Sequence, residues 1–275
     1  MPSCAPKAAI IAGKPIWRFN ITRVLSIMCP LDSTQGFIMQ FMANFKCNHT
    51  AHSVQEYFTT LRTLGFSQEF LREHELVFFP SFLSLQAAKD FAPFGEIGVQ
   101  NAYPAFNGAF TGEIGAQALE SMRVRTILIG HSERRSLLGE SQECVAEKFA
   151  FFARLGFFIV YCVGEPLSVR QQGEKAVQNY LQAQFAGIDL EATRVSVAYE
   201  PIWAIGTGRS ASVQEIAQTH AFLRTLTQSP LLYGGSVNAG NAREILSTPN
   251  VNGVLVGSAS LDAKSFHTIT QSVLL

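Results

Sequence analysis

From about residue 39 to the C-terminus, short apolar runs alternate with longer stretches in which apolar and polar residues are mixed. Eight of the runs are rich in β-branched and aromatic residues and nearly continuous, which is typical of parallel strands covered on both faces. The predicted strands are Phe41–Phe45, Leu76–Phe79, Ile97–Gln100, Thr126–Gly130, Phe157–Cys162, Arg194–Tyr199, Leu231–Tyr233 and Gly253–Val256.

The stretches between these runs have the apolar spacing of amphipathic helices. The clearest are Val54–Leu64, Ser141–Leu155, Gly173–Phe185 and Ser212–Leu226, and Leu137, Val145, Phe149 and Phe152 are spaced to share one helix face. Strands that alternate with helices form either an open doubly wound sheet or a closed barrel.

Polar residues at the carboxyl ends of the strands favour the barrel. They are Asn44, Lys46, Asn101, His131, Glu200 and Ser236. In a barrel these ends converge on one face, whereas in an open sheet they would be spread along an edge. The chain also lacks a G-x-G-x-x-G after its first strand and a G-x-x-x-x-G-K-[ST] segment. We therefore predict an α/β fold, a closed (β/α)8 barrel, in a single domain over residues 39–275.

Residues 1–38 do not follow this alternation and form a leader of doubtful structure. They carry four basic residues and one acid, and Arg18 and Arg23 interrupt any apolar core, which excludes a secretory signal. Two interpretations stay open. The low acid content is similar to that of an organelle transit peptide, and an upstream start is the other explanation, with the functional chain beginning near Met39 or Met42.

Composition excludes several classes of function. The formal net charge of +0 gives no basic surface for nucleic acid or an anionic membrane. No apolar run reaches the roughly 18 residues of a membrane-spanning helix. The five cysteines form no CxxC, which argues against disulfides and zinc and for a reducing, cytoplasmic location. His49 and His52 are interpreted as solvated residues of a first helical turn, so no metal site is expected.

Glu200 is the candidate general base. It ends an apolar strand and precedes Pro201, and partial burial at a barrel mouth would raise its proton affinity. The segment Pro201–Gly208 combines stiff apolar residues with Gly206, Thr207 and Gly208, which predicts a lid containing Trp203 whose Gly206 amide reaches an anionic substrate. The alternatives are a structural strand-end carboxylate and a rigid, packed loop.

His131 and Lys46 are the other candidates for chemistry. His131 follows a strand, with Ser132 and Glu133 opening a helix, so its imidazole should be neutral and able to donate to a substrate oxygen. Lys46 would supply positive charge to a phosphate ester and an enediolate. A structural histidine and a surface lysine are the alternatives.

Two glycine-containing segments predict a phosphate site. Gly234, Gly235 and Ser236 follow the seventh strand, and Gly257 and Ser258 follow the eighth. Backbone N–H groups exposed there are the usual phosphate ligands of such barrels.

Five segments together resemble the triosephosphate isomerase family, in that family's order. They are the N-x-K segment at Asn44, GAFTGEI, IGHSERR, AYEPIWAIGTG and YGGSV. The resemblance implies a TIM barrel without cofactor that interconverts dihydroxyacetone phosphate and D-glyceraldehyde 3-phosphate through an enediolate, in glycolysis and gluconeogenesis. Phe45, Arg209 and Ser258 depart from the usual pattern.

The resemblance also implies residue roles. Glu200, His131 and Lys46 would be catalytic. The substrate would be bound by Asn44, Lys46, Gly206, Ser236, Gly257 and Ser258, with Ser132, Glu133, Pro201, Trp203, Thr207 and Gly208 in supporting and lid positions. A homodimer is implied, formed through the loop Tyr103–Glu113, which would place Thr111 near the partner's Asn44.

Two other functions are compatible with a phosphate-binding barrel. One is a barrel that binds phosphorylated metabolites without catalysis, although all three reactive residues are present. The other is an aldolase in which Lys46 forms a Schiff base, which would require a desolvated lysine.

Overall fold

The structure is a computed structural model that describes residues 38–204 and 210–274. Eight parallel strands form its central sheet. In chain order they are β1 Gln40–Asn44, β2 Glu75–Phe79, β3 Glu96–Ile97, β4 Thr126–Ile129, β5 Phe158–Val163, β6 Val195–Tyr199, β7 Leu231–Tyr233 and β8 Gly253–Val256. Their order in the sheet is β3-β2-β1-β8-β7-β6-β5-β4.

The two ends of this sheet meet at a parallel bridge between Val99 and Ile127. The Val99 N–H donates to the Thr126 carbonyl at 2.9 Å, and the Leu128 N–H donates to the Val99 carbonyl at 2.9 Å. The bridge joins β3 to β4, so the sheet curves into a barrel and the predicted (β/α)8 fold is confirmed.

Helices follow the strands around the barrel. Within the described residues they are α1 Ala51–Leu64, α2 Gln68–Glu73, α3 Leu85–Phe91, α4 Ala116–Ser121, α5 Ser132–Ser136, α6 Gln142–Arg154, α7 Leu167–Arg170, α8 Glu174–Ala183, α9 Val213–Leu226, α10 Ala242–Leu246 and α11 Ala263–Gln271. Polar caps define where the longer ones begin. Thr50 caps α1, and Ser212 with Glu215 forms a capping box at the start of α9.

The alternation of side chains along each strand divides the core in two. One cluster fills the barrel interior and includes Met42, Leu128, Val160 and Leu255. The other lies between the strands and the helices. Because both faces of the strands are buried, their sequences read as continuous apolar runs.

The strand predictions agree with the structure to within a residue or two at each end, except at β3. There only Glu96–Ile97 pairs as a strand, and Val99 contributes the isolated bridge. Leu137 was wrongly assigned to the face of α6. It follows the short helix α5 and is 77% exposed.

The interpretation of His49 as a solvated first-turn residue is wrong as well. His49 precedes α1, and its Nε2 lies 3.1 Å from the Leu261 carbonyl oxygen. Since a carbonyl can only accept, Nε2 carries the proton of this hydrogen bond. The contact joins the loop after β1 to the 3-10 helix Ser258–Leu261 after β8.

Predictions for the leader fall on residues 1–37, which lie outside the described part of the chain. Among the residues that the structure does describe, no helix is both long and apolar enough to cross a membrane.

Candidate active site

The carboxyl ends of the strands surround a cavity of about 340 Å³. It brings together predicted residues from the ends of β1, β4, β6, β7 and β8. Its lining includes Asn44, Lys46, His131, Glu200, Gly234, Gly235, Ser236, Gly257 and Ser258. The barrel closure therefore places residues more than 200 positions apart in the sequence around one space.

Glu200 lies at the bottom of this site, and its carboxylate has two partners. Its Oε1 is 3.0 Å from His131 Nε2, and its Oε2 accepts the backbone N–H of Ser132 at 2.9 Å. The residue is only 2% exposed. The first turn of α5 thus contributes a side chain and a main-chain donor to the same carboxylate.

The hydrogen bonds of His131 identify its neutral tautomer. Its Nδ1 accepts the backbone N–H of Glu133 at 3.3 Å, in the first turn of α5. A nitrogen that accepts carries no proton, so the proton of the neutral ring is on Nε2, which faces Glu200. This agrees with the expected role of donor to an oxygen in the cavity.

The two buried groups shift each other's pKa. Burial raises the pKa of Glu200, as predicted from its position, but His131, the Ser132 amide and Lys46 outweigh burial and leave that pKa below its usual value. Burial lowers the pKa of His131, and the carboxylates of Glu200 and Glu133 outweigh that effect and raise it. In each case the largest effect that opposes burial comes from the other group of the pair.

Lys46 occupies an unusual backbone conformation at the edge of the cavity. Its φ is 50°, in the left-handed region that side chains larger than glycine rarely adopt. Asn44 stabilises this turn because its Oδ1 accepts the Lys46 N–H at 3.0 Å. The Lys46 Nζ donates to Glu133 Oε1 at 2.6 Å, so an ion pair aims the ammonium group across the site.

Two of the predicted glycines pack closely against these side chains. A Cβ on Gly234 would lie 2.9 Å from Glu200 Cγ, and a Cβ on Gly257 would lie 3.3 Å from Lys46 Cε. Sequence reasoning assigned the glycines only to exposed N–H groups. The structure adds that they leave room for the side chains of Glu200 and Lys46.

The predicted lid begins at Pro201, which is buried beside Gly235. Trp203 lies in the 3-10 helix Ile202–Ala204, and Ser236 Oγ donates to the Ala204 carbonyl at 2.6 Å. Gly206, Thr207, Gly208 and Arg209 lie outside the described residues. The start of the segment is therefore tied to the loop after β7, where the phosphate site was predicted.

Glu165 and Arg170 contact Trp203 at the start of the predicted lid, and sequence reasoning missed them. Glu165 is fully buried, and its Oε1 accepts Trp203 Nε1 at 2.9 Å and the Tyr199 hydroxyl at 3.1 Å. The Arg170 guanidinium lies over the Trp203 ring, 5.4 Å from its centre. The available signal was Glu165 itself, a polar residue two positions after β5.

A second cavity, of about 310 Å³, shares Asn44, Lys46 and His131 with the first. It is also lined by the apolar side chains of Phe82 and Leu138. Asn101 faces this second cavity rather than the first. Within the described part of the chain, no group of three or more His, Cys, Asp or Glu residues is placed to hold a metal ion.

The loop Tyr103–Glu113 is held in a defined shape. The Tyr103 N–H donates to the Ile114 carbonyl at 2.9 Å, and the rings of Tyr103 and Phe110 lie 4.3 Å apart. Thr111 is exposed at the surface. The loop therefore presents Thr111 on a structured support.

Comparison with known proteins gives a consistent result. Residues 39–273 match the family model described as triosephosphate isomerase. A triosephosphate isomerase of Wolinella succinogenes is 50% identical over 235 residues, which cover 86% of this chain and 100% of that protein. One from a Sulfurovum species is 52% identical over 228 residues, covering 83% and 97%, and one from Helicobacter pylori strain Shi470 is 50% identical over 230 residues, covering 83% and 96%.

Proposed function

The chain belongs to the triosephosphate isomerase family and interconverts dihydroxyacetone phosphate and D-glyceraldehyde 3-phosphate, and we propose that Glu200 is the base of this reaction. The Glu200 carboxylate would take a proton from the carbon next to the substrate carbonyl and return it to the neighbouring carbon. Its burial in the cavity supports this role, because burial strengthens a carboxylate as a base. His131, the Ser132 amide and Lys46 outweigh that effect in this structure, and burial would act more strongly once substrate has displaced His131.

His131 is the proposed donor to the substrate oxygens. In the structure its Nε2–H faces Glu200 at 3.0 Å, so substrate must replace this contact by inserting a carbonyl oxygen in front of Nε2. Once Glu200 has moved away, the largest effect that raises the pKa of His131 is lost. Burial and the Glu133 amide on Nδ1 then keep the ring neutral, and a neutral imidazole can stabilise an enediolate by hydrogen bonding.

Lys46 and the glycine segments complete the proposed site. The Lys46 ammonium group would balance the charge of the phosphate and of the enediolate. The N–H groups around Ser236, Gly257 and Ser258 would bind the phosphate, with Gly206 added when the lid closes. Asn44 would hold the turn that aims Lys46. All of these groups come from the protein chain, so the proposed chemistry needs no cofactor.

The Glu133 ion pair argues against the aldolase alternative. A Schiff-base lysine must be neutral and desolvated to attack a carbonyl. Lys46 instead donates to a carboxylate at 2.6 Å. That contact engages the Lys46 Nζ in an ion pair, an arrangement that suits electrostatic stabilisation.

The observation that carries the proposal is the carboxylate of Glu200 between His131 and the Ser132 amide. The test is Glu200→Gln, which keeps the shape of the side chain and removes the base. We expect kcat to fall by about three orders of magnitude or more, while the affinity for an unreactive phosphate ester such as glycerol 3-phosphate stays nearly unchanged. Retention of more than about 5% of wild-type kcat would place the base elsewhere.

We also propose that the enzyme is a cytoplasmic homodimer. The exposed Thr111 and the partly apolar second cavity support this, since the tip of one loop could enter the cavity of the other subunit beside the partner's Asn44. Exposed apolar side chains are consistent with a covered surface. Those with the highest exposed fractions among the described residues are Leu83, 94% exposed, and Leu137, 77% exposed.

A further inference from the structure

Gly164 is the first residue after β5, at a position where the neighbouring strand β4 has already ended. The Phe158 N–H donates to the backbone carbonyl of Arg125 on the β4 side, and the Ile159 N–H donates to the backbone carbonyl of Arg194 on the β6 side. Peptide groups alternate between the two sides along a strand, so those of Gly164 face β4. However, β4 ends at Ile129, three residues before Ser132, which the register would place opposite Gly164.

Side chains replace the missing strand. Arg135 reaches the Cys162 carbonyl at 3.4 Å. Gln184 then binds both the N–H and the carbonyl of Gly164. Its Oε1 accepts the Gly164 N–H at 2.9 Å, and its Nε2 donates to the Gly164 carbonyl at 3.0 Å. A primary amide matches a peptide's donor and acceptor, so one side chain completes the ladder at this residue.

Gln184 is itself held firmly at the end of α8. It is 8% exposed. Its backbone carbonyl accepts the Tyr161 hydroxyl and also Gln142 Nε2, the latter at 2.7 Å. Two neighbouring elements, β5 and α6, therefore hold the backbone of Gln184, from which its side-chain amide reaches Gly164.

Gly164 in turn packs against the main chain of Glu200. The Glu200 N–H donates to the Val163 carbonyl at 2.7 Å, which places Gly164 beside Glu200. A Cβ on Gly164 would collide with the Glu200 carbonyl oxygen. Any displacement of the Gly164 peptide is consequently transmitted to the backbone that carries the proposed base.

We propose that Gln184 is a positioning residue for Glu200, acting through the Gly164 peptide. Gln184 does not line the cavity and touches no substrate. Its effect is on the chemical step, because a small displacement of the base lowers the rate of proton transfer without changing the phosphate site on β7 and β8. This inference rests on the proposed role of Glu200.

The test is Gln184→Met, which conserves the length of the side chain and removes both hydrogen bonds to Gly164. We expect kcat to fall about tenfold to a hundredfold. The affinity for glycerol 3-phosphate should change by less than about twofold, because that site does not involve Gly164. Gln184→Glu is the second variant. Its carboxylate retains the acceptor for the Gly164 N–H and repels the Gly164 carbonyl, so kcat should fall here too.

Gln40→Met is the matched control. Gln40 is another buried glutamine, 6% exposed, whose amide bonds to Glu75 and Ser196 at the opposite end of the barrel. The control should lose a similar amount of stability and keep wild-type kcat.

Three results would overturn the inference. One is wild-type kcat in either folded Gln184 variant. The second is a loss of kcat that Gln40→Met reproduces, and the third is failure of both Gln184 variants to fold, since each of these two would mean that Gln184 serves stability alone. Glu200→Gln, measured alongside, separates this from the proposed function. If that variant is active, the base assignment fails first, whatever the Gln184 variants do.

Discussion

Gly234 shows how a single residue limits the position of Glu200, the proposed base. Its Cα faces Glu200, and a Cβ there would lie 2.9 Å from Glu200 Cγ and 3.3 Å from the Tyr199 carbonyl oxygen. We expect Gly234→Ala to push the carboxylate away from its position and to lower kcat about tenfold or more, with KM changed much less. Steady-state kinetics in both directions measure this.

Gly240→Ala is the control for that substitution. Gly240 is exposed, and the nearest atom to a Cβ there is the flexible Asn238 side chain at 3.2 Å. It should keep kcat near the wild-type value. Equal effects of the two alanines would mean that the loop as a whole, and not contact with Glu200, determines the loss.

At the level of elements, the sequence predicted the strands well because each is buried on both faces and bounded by polar residues. β3 was the exception, since two paired residues and one isolated bridge leave little pattern to read. Residues that follow strand ends, such as His131 and Glu200, were predictable for the same reason.

Contacts between elements could not be predicted from the sequence. Gln184 is at the end of a helix, where a glutamine usually faces solvent. Only the folded chain shows that β4 ends before the position opposite Gly164 and that Gln184 binds there instead. Glu165 is separated from Trp203 by 38 positions, so their hydrogen bond has no local signature. Such contacts depend on where strands stop and helices return, which a linear pattern does not encode.

His220 gives a pH dependence to the packing of α9. Its Nδ1 is 3.2 Å from the Asn250 carbonyl oxygen before β8, so Nδ1 carries the proton. Its Nε2 is buried and has no hydrogen-bond partner among the residues that the structure describes. Burial lowers the pKa of His220 to about 4. The unfolded chain therefore takes up a proton before the folded chain does. Stability from this residue is present above pH 6.5 and is lost as pH falls toward 4, by about 3 kcal/mol.

His220→Phe should reveal this contribution in urea unfolding at several pH values. At pH 7.5 the free energy of unfolding should fall by about 1–3 kcal/mol, because the Asn250 carbonyl loses its donor. Between pH 6.5 and 4 the variant should lose about 3 kcal/mol less than the wild type. Parallel curves for His220→Phe and wild type would contradict the assignment.

At the scale of the whole molecule, we expect the catalytic barrel to need nothing before Met39. The first strand begins at Gln40, and the family match begins at residue 39. A chain that starts at Met39 should fold and keep the kcat/KM of the full-length chain. A loss of more than about tenfold, equivalent to about 1.4 kcal/mol, or aggregation, would make the leader part of the functional fold.

The proposed dimer predicts that catalysis depends on a residue outside the subunit's own cavity. Thr111 is exposed at the tip of its loop, so Thr111→Arg should leave the isolated subunit folded and prevent entry of the loop into the partner's second cavity. We expect light scattering to show the mass of one chain and kcat/KM to fall about tenfold or more, because the turn that holds Asn44 and Lys46 loses its support. Thr63→Arg, at an exposed position on α1, is the matched control and should remain dimeric and active. Wild-type protein that has the mass of one chain and full activity at every concentration would exclude the dimer, and with it this use of the loop.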